Sequence, residues 1–375
     1  MASKCGLVLT GGGARGAYQA GALSAVLEIC HENKIPWPFK IISGVSAGGI
    51  NACLLASKLH QSNLLVLSHE IRDVWSKISS DKIFVTSTFT LTLNGLRWVR
   101  SLSQGTLHST TKSLSLLNTG PLRKLLHQHI NFSNIDAVMK QGMIESLSMS
   151  MVNYGTGLSQ VFFQTNCNDI QCWKRIKREG QPVRFTHEHI MATSAIPIIF
   201  PPIQIDKVYY GDGSLRDYTP LSPPIKMGAD KLLIIGVRMR DQISAFNMHA
   251  PTPAKIFSII LNGILLDALD TDLERLQRIN RTVALLPRGQ TTGLRPVETF
   301  VITPSQILSE IAYEENEMMP KLVQYLINGL GNAHEGADLI SYILFEAPYT
   351  RRLIKLGRRD VFKQKEQIIN FLRDS

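Results

Sequence analysis

Three glycine-framed stretches carry residue types that could do chemistry: GGGARG at 11–16, GVSAG at 44–48, and the turn around Asp212 within YYGDGSLRDYTP at 209–220. Ser46 stands alone between Gly44 and Gly48, where a strand pattern stops and a helix pattern starts. It reads either as part of a tight turn or as a nucleophile on a strained elbow. The glycine loop has three readings. A phosphate-binding P-loop requires Lys and Ser/Thr where Ala17 and Tyr18 stand, which removes it. A dinucleotide fingerprint requires an acid at the end of the next strand, where the chain has Ser43-Gly44-Val45-Ser46. The third is an oxyanion hole, a set of amides that receives the negative oxygen of a tetrahedral intermediate. Arg15 suits an anion-facing loop, with a plain surface arginine as the competing reading.

A serine nucleophile needs a base. His249 falls in a Pro-rich break and His334 in a Gly-flanked loop, poor contexts for that role. HEH at 187–189 resembles a ligand pair, yet no third ligand stands nearby in sequence, so it reads as helix-entry polarity. Asp212 is the better candidate: it lies between Gly211 and Gly213 directly after a strand run, where a tight turn presents a carboxylate. An aspartate chosen for turn geometry alone is the alternative.

The elements that must position these residues follow a βαβα grammar. GLVLT at 6–10 and FKIIS at 39–43 are strand runs, and each leads through a glycine stretch into a helical pattern. That order implies a parallel sheet with helices on its faces, with ligands at the carboxyl ends of the strands. The glycine loop is expected at the sheet edge, outside the core. Residues 62–135 are helical and irregular. Strand runs return at 145–155, 159–166, 203–205, 208–213 and 231–239. After a polar break at 240–254 the chain is mostly helical, with strand-like pieces near 281–286 and 298–303.

The 375 residues carry a formal charge of +10, with 44% hydrophobic and 19% charged content. Such a composition is that of a folded protein, and disorder is excluded as the general state. The positive balance favours an anionic partner, a phospholipid surface or nucleic acid. Most of the excess is scattered, which points to solvation; KRIKREG at 174–180 is a local cluster. Cys5, Cys30, Cys53, Cys167 and Cys172 include no CxxC pair, and the first three lie in apolar stretches, which suits a reducing compartment. No signal peptide is expected, and the apolar run 256–266 is too short to span a bilayer.

Together, GGGARGAYQAG, GVSAG and GDGS, with ATSAIPIIFPP at 192–202 before the aspartate, resemble the patatin-like phospholipase family. The one departure is Ser214, where the family usually has Gly or Ala. The tail, including LDALDTDLERLQRIN and LISYILFEAPYTRRLIKLG, is similar to the extension of many bacterial members. The resemblance implies a three-layer α/β/α fold, related to the cytosolic phospholipase A2 catalytic domain, with a mainly parallel central sheet. It implies a catalytic domain over 1–240 with a helical cap insertion at about 62–135, and a mostly helical extension over 241–375 packed on it. Ser46 is then the nucleophile and Asp212 the base of a dyad without histidine. Gly11, Gly12, Gly13, Arg15 and Gly16 form the oxyanion loop, Gly44 and Gly48 the elbow, and Gly213 the acid turn. No metal or cofactor is required. The implied partner is a phospholipid or other acyl-ester lipid at a membrane surface, and no nucleic acid. The location is cytoplasmic or peripheral to a membrane, with non-classical export left open. A neutral-lipid or thioester hydrolase on the same dyad, a nucleotide-binding oxidoreductase and a catalytically silent lipid-binding member are the competing functions. The apolar stretch 84–100 is read as core or as a membrane-entering cap.

Overall fold

A computed structural model describes residues 3–61, 63–86, 115–217, 219–240, 250–265, 267–287, 293–321, 323–324 and 334–373. His249 and residues 87–114, which include most of the stretch 84–100 read as core or cap, lie outside the described residues. Ten strands form one sheet among the described residues: β1 (Cys5–Leu9), β2 (Phe39–Gly44), β3 (Ser146–Asn153), β4 (Ser159–Thr165), β5 (Trp173–Arg175), β6 (Arg178–Pro182), β7 (Ile203–Ile205), β8 (Val208–Asp212), β9 (Lys231–Ile235) and β10 (Glu298–Ile302). The order is β10-β9-β1-β2-β3-β4-β6-β5, with β8 joined to β3 and β7 to β8. From β10 to β3 every pairing is parallel. Those parallel strands are covered on both faces, which explains their unbroken apolar runs such as CGLVL and KLLII.

Side chains alternate along each strand and so divide the core in two. Leu7, Leu9, Ile42, Leu233 and Ile235 enter the larger core, whereas Val8, Ile41, Leu232 and Ile234 enter the smaller one. Helices α1 (Gly16–Glu32), α2 (Ala47–Lys58) and α3 (Leu64–Ser76) supply the larger core, joined by α4 (Gly120–His129) from the expected cap region. On the chain's far side of the break come α5 (Pro253–Leu265), α6 (Asp267–Ala284), α7 (Ala337–Ile343) and α8 (Ala347–Phe362). Leu269, Leu273 and Leu276 of α6 fill the smaller core, and α8 packs along α1.

The strand-like piece expected near 281–286 is instead the end of α6. The Leu spacing on one helical face, with Asp267 and Asp270 in the first turn, carries the helix across the β-branched Thr282 and Val283. Residues 298–302 do form a strand, the edge strand β10 of the same sheet. Phe84, the first residue of the stretch 84–100, is fully buried, with its ring 6.5 Å from that of Phe200. No helix among the described residues is long and apolar enough to cross a membrane.

Candidate active site

The sheet itself brings the serine and the aspartate together. One edge of β3 is covered throughout by β4. Along its other edge, β2 pairs in parallel with residues 146–149, and β8 pairs in antiparallel with residues 151–153. The two strands approach each other along one edge, so their carboxyl ends meet. Ser46 follows the end of β2 and Asp212 is the last residue of β8. Ser46 Oγ donates a 2.5 Å hydrogen bond to Asp212 Oδ2, across 166 residues of sequence. Asp212 is 1% exposed, and burial pushes its carboxyl up to about 6, opposed by hydrogen bonds from Ser46 and the Ser214 amide. The Ser214 amide holds the second oxygen, Oδ1, at 2.9 Å, so the carboxylate is fixed at both ends.

Ser46 sits at φ +55° and ψ −126°, a conformation that an L-residue seldom adopts and that costs on the order of 1–3 kcal/mol. The surroundings enforce it. A Cβ on Gly44 would lie 2.5 Å from Gly48 O, and one on Gly48 would collide with Leu9 O, so only glycine lets β2 turn back so sharply. Thr193 Oγ1 accepts from the Ser46 amide at 3.0 Å and donates to Ser150 O at 2.7 Å, pinning the elbow to β3. The α2 helix starts at once, with its amino terminus behind the serine.

The glycine loop lies against this pair. A Cβ built on Gly11 would fall 3.2 Å from Ser46 Cβ. The amides of Gly11, Gly12 and Gly13 donate to no acceptor among the described residues, whereas those of Arg15 and Gly16 bond to Gly12 O and Gly13 O inside a 3-10 turn. Two of the five expected oxyanion residues therefore need correction: the amides of Arg15 and Gly16 are already used. Gly16 packs instead on Ala47 and Trp75.

Arg15 also departs from both readings of its side chain, being neither anion-facing nor on the surface. It is 3% exposed, and its guanidinium donates to Ser341 Oγ at 2.8 Å and Asp338 Oδ1 at 2.9 Å while lying over the Tyr342 ring. The reason is packing: α7 closes over the loop, and a Cβ on Gly13, which has φ +56°, would collide with Tyr342 O. The loop is thus clasped in the interior by the distant α7 and is not at the sheet edge as expected.

Ser46 opens onto an apolar cavity walled by Ile50, Leu54, Trp75, Leu122, Leu126 and Phe200, among others. Its walls come from α2, α3, α4 and the segment around Phe200, so the region 62–135 contributes directly to it. The open space is about 40 Å³, too little for a long chain unless the walls part. On the opposite side of the loop the Ser214 hydroxyl is buried beside Gly11.

Thr193 was not among the expected site residues, although it lies in the ATSAIPIIFPP stretch. Nor was a buried amide relay expected: Trp75 Nε1 donates to Asn51, Asn51 to Gln19 and Gly16 O, and Gln19 to Thr10 O and Ile235 O. Polar residues inside otherwise apolar helix patterns were the available signal. His189 caps its own helix through Thr186, burial lowering its imidazole to about 4, and His187 stacks on His127. His334 is exposed.

An elbow serine bonded to a buried aspartate beside a glycine loop, at the carboxyl ends of a mostly parallel sheet, defines an α/β protein whose candidate site is built on a strand–turn–helix elbow. The chain belongs to the patatin-like phospholipase family, whose model matches residues 7–225 and thus includes Ser46, Asp212 and the whole loop. A cGAMP-activated phospholipase of Pseudomonas aeruginosa is 27% identical over 214 residues, 57% of this chain and 53% of that protein, so the match spans about half its length. Human GIVD cytosolic phospholipase A2 in complex with methyl gamma-linolenyl fluorophosphonate aligns at TM-score 0.42 and 12% identity, over 99% of this chain and 59% of its own. VipD from Legionella pneumophila aligns at TM-score 0.28 and 13% identity, over 95% of this chain and 67% of its own.

Proposed function

We propose that the protein is a phospholipase-type acyl hydrolase in which Ser46 and Asp212 act as a dyad. The observation that carries this reading is the 2.5 Å hydrogen bond between Ser46 Oγ and a buried, doubly held Asp212. Ser46 Oγ attacks the ester carbonyl while its proton passes to Asp212 Oδ2. The oxyanion is received by the amides of the Gly11–Gly13 stretch. Collapse breaks the ester C–O bond, and the proton on Asp212 goes to the leaving alkoxide. Water then attacks the acyl-enzyme and yields its proton to Asp212; the bond from the acyl carbon to Ser46 Oγ breaks, the proton on Asp212 returns to Oγ, and the fatty acid is released. A carboxyl at about 6 is a stronger base than an ordinary aspartate and is still mostly ionised at neutral pH.

The apolar cavity beside Ser46 supports an acyl chain as the group transferred. Helix α5 supports approach to a membrane: Ile256, Ile259 and Ile260 are exposed along one face, and the helix packs beside the Gly213–Leu215 turn that follows Asp212. We also propose that residues 241–375 form the extension that buttresses a catalytic domain over 1–240. The test is mass-spectrometric detection of a fluorophosphonate adduct on Ser46, paired with fatty-acid release from phosphatidylcholine vesicles. A modified Ser46 and activity abolished in Ser46→Ala and in Asp212→Asn are expected. Adduct formation elsewhere, or substantial release by either variant, refutes the dyad.

A further inference from the structure

The cationic cluster at 174–180 has no part in the dyad chemistry, yet the fold gives it company. Its residues form the hairpin of β5 and β6, with Lys177 at the bend. That hairpin faces Arg216, four residues past Asp212, and Arg275 of α6. A groove of about 530 Å³ lies between them, lined by Arg175, Lys177, Arg178, Arg216 and Arg275, with Trp173 on one wall. Three segments distant in sequence thus point five cations into one concavity.

Those charges are only partly compensated. Arg175, Lys177, Arg216 and Arg275 make no ion pair among the described residues, and Arg178 donates to the neutral Thr219 hydroxyl. The carboxyls at the groove are Asp217, in its lining, and Asp272 behind it; burial shifts both upward while Arg178 acts to lower both, so two carboxyls offset part of five cations. Arg178 is half-buried, and its guanidinium is held below the usual range by burial and by the neighbouring Arg175 and Arg275. Cations that destabilise one another across a cavity of this size gain by sharing an anion, and guanidinium groups match phosphate oxygens in pairs. The inner wall belongs to the catalytic turn, since the amides of Arg216 and Asp217 both donate to Gly213 O at 2.9 Å.

We propose that the groove between the β5–β6 hairpin, Arg216 and Arg275 is a binding site for a phosphate-bearing anion, separate from the Ser46 cavity. The phosphate belongs either to a free soluble compound or to an anionic lipid headgroup. Calorimetric titration with pyrophosphate and with ATP tests the first source. Co-sedimentation with phosphatidylcholine vesicles, with and without phosphatidylglycerol, tests the second. The variants are Arg175→Glu with Arg275→Glu, both exposed positions, and a charge-matched control, Lys140→Glu with Arg373→Glu, which is exposed and outside the groove. Thermal melting checks that each is folded, and Arg175→Gln with Arg275→Gln replaces the reversal pair if it is not.

A loss of at least about tenfold in affinity for a soluble probe, in the groove variant and not the control, supports the site and identifies a free phosphate compound. The same contrast seen only with phosphatidylglycerol vesicles supports it and identifies a headgroup. Equal loss in both variants, or no binding of any probe to the wild-type protein, overturns the proposal, and the first of these assigns binding to the net charge of +10 alone.

Discussion

Asp212→Asn is expected to make the protein more stable while destroying its activity. The wild-type carboxyl is moved from 3.8 to about 6 by burial, so the folded state holds the proton more tightly than the unfolded chain. Below the unfolded value both states are protonated and the aspartate has no electrostatic cost. As the pH rises through the interval from there to about 6, the unfolded chain deprotonates first and stability falls; above that interval the loss is constant. Two units at ~1.4 kcal/mol each give a cost of ~3 kcal/mol at pH 8. Asparagine has the same shape and does not titrate. Its oxygen can still accept from the Ser214 amide, and its amide group can donate to Ser46 Oγ, so both hydrogen bonds keep a partner. Weaker neutral bonding trims the gain to about 2–3 kcal/mol, or roughly 3–4 °C in melting temperature for a chain of this length. Asp217, also raised by burial, titrates in both proteins and cancels in the difference. The assay is urea unfolding of both proteins at pH 8 and at pH 4. The reasoning fails if the variant is no more stable at pH 8, or if its advantage is as large at pH 4.

Hydrolysis of a short soluble ester should lose kcat/KM below about pH 6 with the slope of a single proton, because Asp212 must be ionised to accept from Ser46; a profile flat down to pH 4.5 removes it as base. Ser46→Gly should be more stable than Ser46→Ala by about 1–2 kcal/mol in denaturant unfolding, since glycine alone relieves the positive φ and both lack the hydroxyl. Asp338→Ala should cost about 3 kcal/mol of stability by leaving Arg15 buried without its carboxylate, and should lower kcat by roughly tenfold through a loosened glycine loop, measured by unfolding and steady-state kinetics. Ile256→Asp with Ile260→Asp should reduce sedimentation with phospholipid vesicles and leave hydrolysis of a short soluble ester nearly unchanged, because both side chains are exposed and outside the Ser46 cavity.

What was legible in the sequence was local. Gly44, Ser46 and Gly48 declare an elbow because the turn they make is decided within five residues, and the Gly211-Asp212-Gly213 turn is equally short-range. The parallel sheet was legible from apolar runs that alternate with helical spacing. What pairs across long separations left no periodic trace. Arg15 has the same local setting whether it faces solvent, an anion or Asp338, and the choice is made by a helix 323 residues further on. The strand-like 281–286 piece failed for the same reason, since helical packing of Leu269, Leu273 and Leu276 overrode the local β-branched preference.

The same contrast bears on how the chain divides labour. The family match ends at residue 225, and both proposed reacting side chains lie inside it. The loop beside them is closed from outside it: Asp338 and Ser341 hold the Arg15 guanidinium, and the Tyr342 backbone leaves no room for a side chain at Gly13. Amides aimed at a developing charge are useful only if they do not have to move to reach it. A loop of three consecutive glycines has no rigidity of its own, so its order must be imposed by what packs on it. In this chain α7 imposes it, through one buried ion pair and one backbone contact. Removing the tail should therefore cost turnover and also destabilise the sheet, whose smaller core is filled by Leu269, Leu273 and Leu276. A chain cut after residue 240 would keep Ser46 and Asp212, lose the clasp on Gly13, and give up the edge strand β10 and the helix α8 that covers α1.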